Sequence, residues 1–447
     1  MAKRVVILGA GESGVGAALL AKQKGHDVFV SDYGRINQSN KNELAEAGIL
    51  YEEEEHSDES ILNADMVIKS PGIPEKSEII QKLRNSGISI ISEIEFAYRY
   101  TSEQATIIAV TGSNGKTTTT TLAYYLLKES GLNVSICGNI GKSYARVVAE
   151  GGSDYYVIEV SSFQLDDITS FKPNISILLN ITPDHLDRYQ YNFDLYTQSK
   201  FSINKYQTES DHFIYCADDE VINTKASKGK FNGKLHPFSI EHSNHTAAHL
   251  QDEHLLIHNN KTHLSMSIYE LGLQGKHNLY NSMAAGVAAS ILDLRKENIR
   301  ESLRDFKSLE HRLESVTKVS GIEFINDSKA TNINSTWYAL ETMQHPTVWI
   351  AGGVDKGNEY EVLTNLVKNK VRMIVCLGTQ ISKLHRAFGQ HVDLIVNSGS
   401  MPEAVKLAYH FAEKGDNVLL SPACASFDLF ENYEDRGIQF KQAVRNL

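Results

Sequence analysis

Short apolar runs recur along this chain, each closing on small and polar residues, and most are followed by a helix-compatible stretch. Val5 to Leu8 is one; Gly9-Ala10-Gly11-Glu12-Ser13-Gly14 follows, then a helix predicted over Val15 to Lys24 and a strand over Val28 to Ser31 that ends at Asp32. Met66 to Ile68 is a strand ending in Ser70-Pro71-Gly72-Ile73-Pro74, and Ile88 to Ile91 is another. Ile107 to Val110 runs into a Gly-rich turn and a helix expected over Thr119 to Glu129. Further strands are expected at Tyr155 to Glu159, Ile175 to Asn180, Glu323 to Asn326, Thr347 to Ile350, Arg372 to Leu377 and Asn417 to Leu420. Brief buried strands alternating with helices predict an α/β fold with parallel sheets. At about 150 residues per domain the 447 residues allow three. The boundaries are placed at 1–92, 93–307 and 308–447: a Rossmann-like N-terminal domain, a central P-loop-type mononucleotide-binding domain and a Rossmann-like C-terminal domain.

The polar clusters at the strand ends hold the candidate chemistry. Gly112-Ser113-Asn114-Gly115-Lys116-Thr117-Thr118, between a strand and a helix, is a phosphate cradle. Its glycines let backbone N–H groups approach an anion, Lys116 reaches terminal phosphates, and the Thr117 hydroxyl suits Mg²⁺. The loop is shorter than the general pattern, which asks for glycine where Val110 stands. Glu159, at the end of its strand, is placed to complete a Mg²⁺ shell. His185, among the acids of Thr182-Pro183-Asp184-His185-Leu186-Asp187, suits a metal or substrate ligand. Lys200 falls on a helix-compatible stretch, Asp194 to Lys205, and by pattern alone reads as a solvent lysine. Asn278 and Asn281 are spaced to share one helical face before the small-residue helix Ser282 to Leu292. In the first domain, the Gly-rich turn followed by Asp32 fits any ribose-linked diphosphate.

Residues 210 to 270 are polar, weakly patterned and His-rich; short strands and loops with surface histidines are expected there. The acidic run Glu52 to Glu55 reads as a solvated loop. With 44 basic and 55 acidic residues the formal charge is −11, which argues against general nucleic-acid binding. Cys137, Cys216, Cys376 and Cys424 are far apart, so neither a zinc site nor a disulfide framework is expected. No apolar run reaches membrane-span length, and Val5 to Leu8 is too short for a signal-peptide core, so a cytoplasmic protein without membrane insertion is expected.

Taken together, TGSNGKTT, EVSSFQL, NITPDHLDRY, GKHNLYN, HRLE, NDSKATN, AGGVDKG and SPACASFD resemble the ordered motifs of the Mur ligase family over essentially the whole chain. NDSKATN and SPACASFD are similar to the D-glutamate-adding branch, and the DNPR-type motif of diaminopimelate-adding relatives is not found. The resemblance implies ATP-dependent ligation of D-glutamate to UDP-N-acetylmuramoyl-L-alanine through an acyl phosphate, by a monomer. It implies catalytic roles for Lys116, His185, Lys200 and Arg312. ATP would contact residues 112 to 118 together with Asn281, Arg312, Asp327 and Lys329. Thr117 and Glu159 match one Mg²⁺ site, and Glu159, His185 and Lys200 a second, with Lys200 carbamylated rather than cationic. Glu12, Ser13, Asp32, Tyr33 and Gly72 would bind the UDP moiety, and Asn139 and His185 the muramoyl part. Thr331, Lys356, Ser426, Phe427 and Tyr433 map onto the D-glutamate pocket; Phe427 and Tyr433 differ from side chains of relatives. Residues from the second and third domains must meet one acyl phosphate, so domain closure is expected.

Other readings stay open at this point. A different Mur-type or a folylpolyglutamate-type ligase shares the chemistry, although the first-domain Gly-rich turn favours a UDP-sugar over a folate. A dinucleotide oxidoreductase would use residues 9 to 14 but leaves the phosphate loop unexplained. A non-catalytic nucleotide-binding protein would not need Lys116, Glu159 and His185.

Overall fold

The computed structural model describes residues 2–242, 245–258, 263–307, 310–355 and 357–447. The chain divides into two compact units, Met1–Phe306 and Lys307–Leu447. The first holds two sheets and the second holds one, and all three are built mainly of parallel strands flanked by helices.

The N-terminal sheet is wholly parallel, in the order Leu50–Glu53, Asp27–Asp32, Arg4–Leu8, Met66–Lys69, Ser89–Ser92. The chain steps outward on one side of Arg4–Leu8 and then crosses to its other flank. The topological switch point therefore lies between Arg4–Leu8 and Met66–Lys69, beyond whose carboxyl ends α/β sheets place their ligands. The second sheet centres on Thr106–Thr111, flanked by Ile175–Leu178 and Tyr155–Glu159 in parallel register. It extends through His212–Cys216, Lys234–Ser239 and Ala248–Gln251 to an antiparallel edge, His254–His258 with His263–Ser267. One buried apolar cluster runs from Val5 and Ile7 through Phe96 and Tyr144 to Tyr156 and Phe171, so both sheets share a core. Polar ties reinforce it: Lys69 Nζ lies 2.7 Å from Asp167 Oδ2, and Arg84 Nη2 donates to Asp167 Oδ1 at 2.5 Å.

In the second unit the order is Glu314–Val319, Ile322–Asn326, Asn417–Leu420, Thr347–Ala351, Val371–Leu377, Leu394–Ser398, with only the first strand antiparallel. Trp349 is fully buried there, and its indole N–H donates to Ser421 O at 2.7 Å.

The structure corrects several sequence expectations. The acidic run is not simply a loop: Leu50–Glu53 is an edge strand, Glu53 pairs with Lys41, and Glu52 accepts from the Ser31 hydroxyl. The helix expected from Thr119 starts at Lys116, because Gly115 in the left-handed region (φ 84°) ends the turn there. Of the histidines expected at the surface, His249 is buried. Among the described residues no helix is long and apolar enough to cross a membrane.

Glu93 starts the Glu93–Tyr98 helix fully buried, and its Oε1 accepts from Ala145 N–H at 2.5 Å. Burial pushes its pKa up from 4.5 to about 8. Between those values the folded chain holds a proton that the unfolded chain has released, so stability falls as pH rises through that window. Glu93→Gln is expected to flatten this part of the pH–stability profile, read as the urea midpoint from pH 5 to pH 9. An unchanged slope would show that Glu93 does not set it.

Candidate active site

The phosphate loop is held from below by Asn180, which follows the neighbouring strand. Asn114 N–H donates to Asn180 Oδ1 at 2.8 Å, Asn180 Nδ2 returns a bond to Asn114 O at 3.0 Å, and Ser113 N–H donates to Asn180 O. The Ser113 hydroxyl reaches Thr182 O and the Tyr196 hydroxyl. These bonds fix the loop so that its helix, Lys116–Glu129, starts directly beneath the turn. A Cβ on Gly115 would lie 2.5 Å from Asn281 Oδ1, so that glycine is required by contact as well as by φ. Asn281 accepts from the Thr119 hydroxyl at 3.1 Å and donates to Asn278 Oδ1 at 3.2 Å, as their spacing predicts.

Two lysines converge on one carbonyl. Lys116 Nζ donates to Gly112 O and Ser113 O, and Lys200 Nζ donates to the same Gly112 O, each at 2.8 Å. Lys200 is 2% exposed and lies 4.7 Å from the centre of the Tyr196 ring. Pattern alone made it a solvent lysine; the fold buries it instead. Burial, then the nearby Lys116 charge, holds its amine well below the usual lysine range.

Glu159 is buried at the end of the strand paired with Thr106–Thr111, opposite Val110, and accepts from Asn139 Nδ2 at 2.8 Å. Asn139 therefore orients the carboxylate next to the loop. Thr117 is buried in the first turn of the helix. Hard oxygen donors at these positions fit Mg²⁺. His185 sits in the left-handed region (φ 52°), with Nε2 3.6 Å from Asp184 Oδ2 and its ring edge-on to Phe163 at 5.3 Å.

At the switch point of the N-terminal sheet lies a cavity of about 800 Å³, a volume that suits a nucleotide-sized ligand. Glu12, Ser13, Asp32, Tyr33 and Gly72, the residues expected to bind UDP, all line it, with His56 and Lys82 in addition. Asp32 braces the Gly-rich turn by accepting from Ala10 N–H at 2.6 Å. Glu12 lines the cavity while its Oε1 accepts from Ser143 N–H and Arg146 Nε, so its carboxylate is already engaged by the second sheet's domain.

In the second unit Asp327, Lys329 and Thr331 follow the Ile322–Asn326 strand, and Ser426 and Phe427 follow Asn417–Leu420. Burial pushes Asp327 up to about 7, against the pull of the Ser421 hydroxyl and Arg312. Lys329 Nζ lies 4.9 Å over the Tyr433 ring. Val354 and Ala425 exchange backbone bonds at 2.9 and 3.2 Å, which brings Val354 beside the segment that holds Ser426. A Cβ on Gly353 would strike Ala425 O at 2.1 Å, so only glycine permits that approach. Lys356 lies outside the described residues. Ser426 is buried, whereas Phe427 is 73% exposed. Arg436, which no sequence motif singled out, is fully buried and donates to Ser328 O at 2.7 Å, Ser328 Oγ at 3.0 Å and Cys424 O at 3.2 Å. It ties the NDSKATN and SPACASFD segments together. Elsewhere, in the His-rich region, Asp218, Glu241 and His242 bring ligand atoms within 4.8 Å of one another, a grouping that sequence spacing did not reveal.

Three family profiles match in order: Mur ligase MurD-like N-terminal domain over residues 3–92, Mur ligase middle domain over 110–289, and Mur ligase glutamate ligase domain over 311–424. The chain belongs to the Mur ligase family. Within it, the chain is 54% identical to the UDP-N-acetylmuramoylalanine--D-glutamate ligase of Christiangramia forsetii, with 100% of both chains covered. It is 51% identical, again over 100% of both, to the ligase of that name from Bacteroides fragilis. In fold it is similar to the Mur ligase UDP-N-acetylmuramate-alanine ligase of Thermotoga maritima, at TM-score 0.64 and 18% identity over 99% of each chain. A pseudomurein peptide ligase type C of Methanothermus fervidus gives TM-score 0.63 at 20% identity, also over 99% of each chain.

Proposed function

We propose that this chain joins D-glutamate to UDP-N-acetylmuramoyl-L-alanine with hydrolysis of ATP to ADP and phosphate. What carries the reading is full-length identity with relatives named for that reaction. The switch-point cavity and the phosphate loop support it independently, because they supply a nucleotide-diphosphate site and a triphosphate site in one unit.

A carboxylate is a poor electrophile at neutral pH, and phosphorylation gives it a leaving group. ATP transfers its γ-phosphoryl group to the alanyl carboxylate. The D-glutamate amine then attacks the acyl carbon, the C–O bond to phosphate breaks, and the attacking nitrogen releases a proton, leaving the amide. Backbone N–H groups of the Gly112–Thr118 loop and the Lys116 ammonium hold the phosphates against the carboxylate. Thr117 and Glu159 would hold one Mg²⁺, and Glu159, His185 and a carbamylated Lys200 a second. Bound magnesium neutralises the charge of the two anions that must meet. Asn281, Asp327 and Lys329 contact the nucleotide, and Arg312 acts beside the transferred phosphate. Glu12, Ser13, Asp32, Tyr33 and Gly72 bind UDP, with Asn139 and His185 on the muramoyl part. Thr331, Lys356, Ser426, Phe427 and Tyr433 receive D-glutamate. The working form is a cytoplasmic monomer of three domains, 1–92, 93–307 and 308–447.

Phosphate release from ATP with UDP-N-acetylmuramoyl-L-alanine is expected only when D-glutamate is present, and not with L-glutamate or other amino acids. Release with a different amino acid moves the chain to another ligase of the family. Release with none overturns the assignment.

A further inference from the structure

Arg188 belongs to the same short turn as His185, yet no role in the reaction outlined above falls to it. The turn Leu186–Tyr189 is a single 3₁₀ segment, and Arg188 N–H donates to His185 O at 3.0 Å. The two residues are thus fixed three apart on one rigid turn. The Arg188 side chain crosses to the N-terminal sheet. Its Nη1 donates to Gly72 O at 3.2 Å, and its Nη2 donates to Pro71 O at 3.2 Å and to Ile73 O at 3.0 Å. Pro71, Gly72 and Ile73 form the wall of the switch-point cavity that follows the Met66–Lys69 strand.

The guanidinium also meets an aromatic ring. Its carbon lies 4.4 Å from the centre of the Phe163 ring. Phe163 meets His185 edge-on at 5.3 Å and stacks on Tyr189 at 5.8 Å with an interplanar angle of 12°. One planar cation therefore touches the cavity wall through three carbonyls and the His185 turn through an aromatic face. The three consecutive carbonyls are divided between Nη1 and Nη2, a spacing that the guanidinium fork spans and the single nitrogen of an ammonium does not.

We infer that Arg188 is a positioning residue that sets the nucleotide-cavity wall against His185, so that occupancy of the cavity and alignment of His185 are coupled. The inference rests on the ligase reading above. Its physical basis is that the UDP-linked substrate has one end in the cavity and its reacting carboxylate at the other end of the molecule. A wall free to move relative to His185 would let the substrate bind without presenting that carboxylate in register. Arg188 removes this freedom through contacts to backbone, which substrate side groups do not perturb.

The test uses the full-length enzyme and two readouts, calorimetric titration with UDP alone and steady-state turnover. Arg188→Ala is expected to weaken UDP binding about tenfold or more and to lower kcat at saturating UDP-substrate by a similar factor, with KM for ATP within about twofold of wild type. Arg188→Lys, which keeps the charge but not the fork, is expected to recover less than half of either loss. Millimolar guanidinium is expected to restore part of the kcat of Arg188→Ala and none of that of Arg188→Lys. A lowered melting temperature with UDP affinity, KM and kcat all at wild-type values would overturn the inference and leave Arg188 as a structural tie. Loss of kcat with unchanged UDP affinity would equally overturn the coupling. If wild type fails to turn over with D-glutamate, the ligase reading falls, while the UDP titrations of wild type and Arg188→Ala still decide whether Arg188 sets the cavity wall.

Discussion

Lys116→Ala is expected to lower kcat for phosphate release by about a hundred- to a thousandfold, with UDP binding unchanged. Transfer of a phosphoryl group to a carboxylate brings two anions together, and a single well-placed cation or donor in such a site is typically worth about two to three orders of magnitude in rate. The Lys116 ammonium is held against the loop backbone through Gly112 O and Ser113 O, so its charge is confined to the cradle. The remaining loop contacts, from Asn180 to Asn114 and from the Ser113 hydroxyl to Thr182 O, do not involve Lys116. The loop should therefore keep its shape in the variant, and the loss should fall on chemistry rather than folding. Lys116→Arg keeps the charge but carries a larger, forked head into a space bounded by two carbonyls, and is expected to recover less than about a tenth of the rate. Rapid-quench measurement of phosphate formation with both substrates saturating is the direct check. A kcat for Lys116→Ala within about tenfold of wild type would remove Lys116 from the transfer step.

The strand ends that hold Lys116, Glu159, Asp327 and Ser426 were legible in the sequence for a physical reason. Parallel sheets bury their strands on both faces, so each strand is a short apolar run, and the polar cluster that interrupts it marks the end where ligands bind. Lys200 was not legible by pattern. It lies on the Phe193–Phe201 helix with Tyr196, Thr197 and Ser199 as its buried companions, and three of those four are polar or charged. Phe193, Tyr196 and Phe201 pack into an apolar cluster, and Lys200 falls at helical spacing on that same side; periodicity marks the face but not that a lysine on it is buried at the phosphate loop. Only similarity of the surrounding motifs pointed to Lys200. Arg436 was missed for a related reason: an arginine near a helix start reads as solvated, and of the two carbonyls it satisfies, Ser328 O lies 108 residues away in sequence. The acidic run misled in the other direction. Leu50–Glu53 joins the sheet edge through backbone pairing with Asp27–Asp32, which side-chain polarity neither requires nor forbids.

Lys200 separates function from stability, and that separation yields the second large expected effect. Lys200→Met should lose activity by about a hundredfold or more while melting no lower than wild type at pH 7. The stability half follows from burial. An unmodified lysine here has its pKa held well below 10.5 by burial and then by the Lys116 charge, so below 10.5 the unfolded chain binds more of this proton than the folded chain does. Folding is therefore penalised below 10.5, and the penalty fades as pH rises toward that value. A methionine of similar length carries no such penalty and keeps the contact with the Tyr196 ring. The activity half follows from position. An amine whose pKa burial lowers gives up its proton more readily, and the free amine attacks carbon dioxide with loss of that proton; the carbamate so formed would be an anionic oxygen donor at the phosphate loop, where Lys200 already meets the Gly112 carbonyl. Small carboxylates such as acetate or propionate should then restore part of the activity of Lys200→Ala, whose truncation leaves room for them, and none of that of Lys200→Met. Incubation of wild type with ¹³C-labelled bicarbonate should add one labelled carbonyl resonance that both variants lack. A fully active Lys200→Met enzyme would exclude a metal-binding role for this residue, and an inactive one that melts well below wild type would assign it to the fold instead.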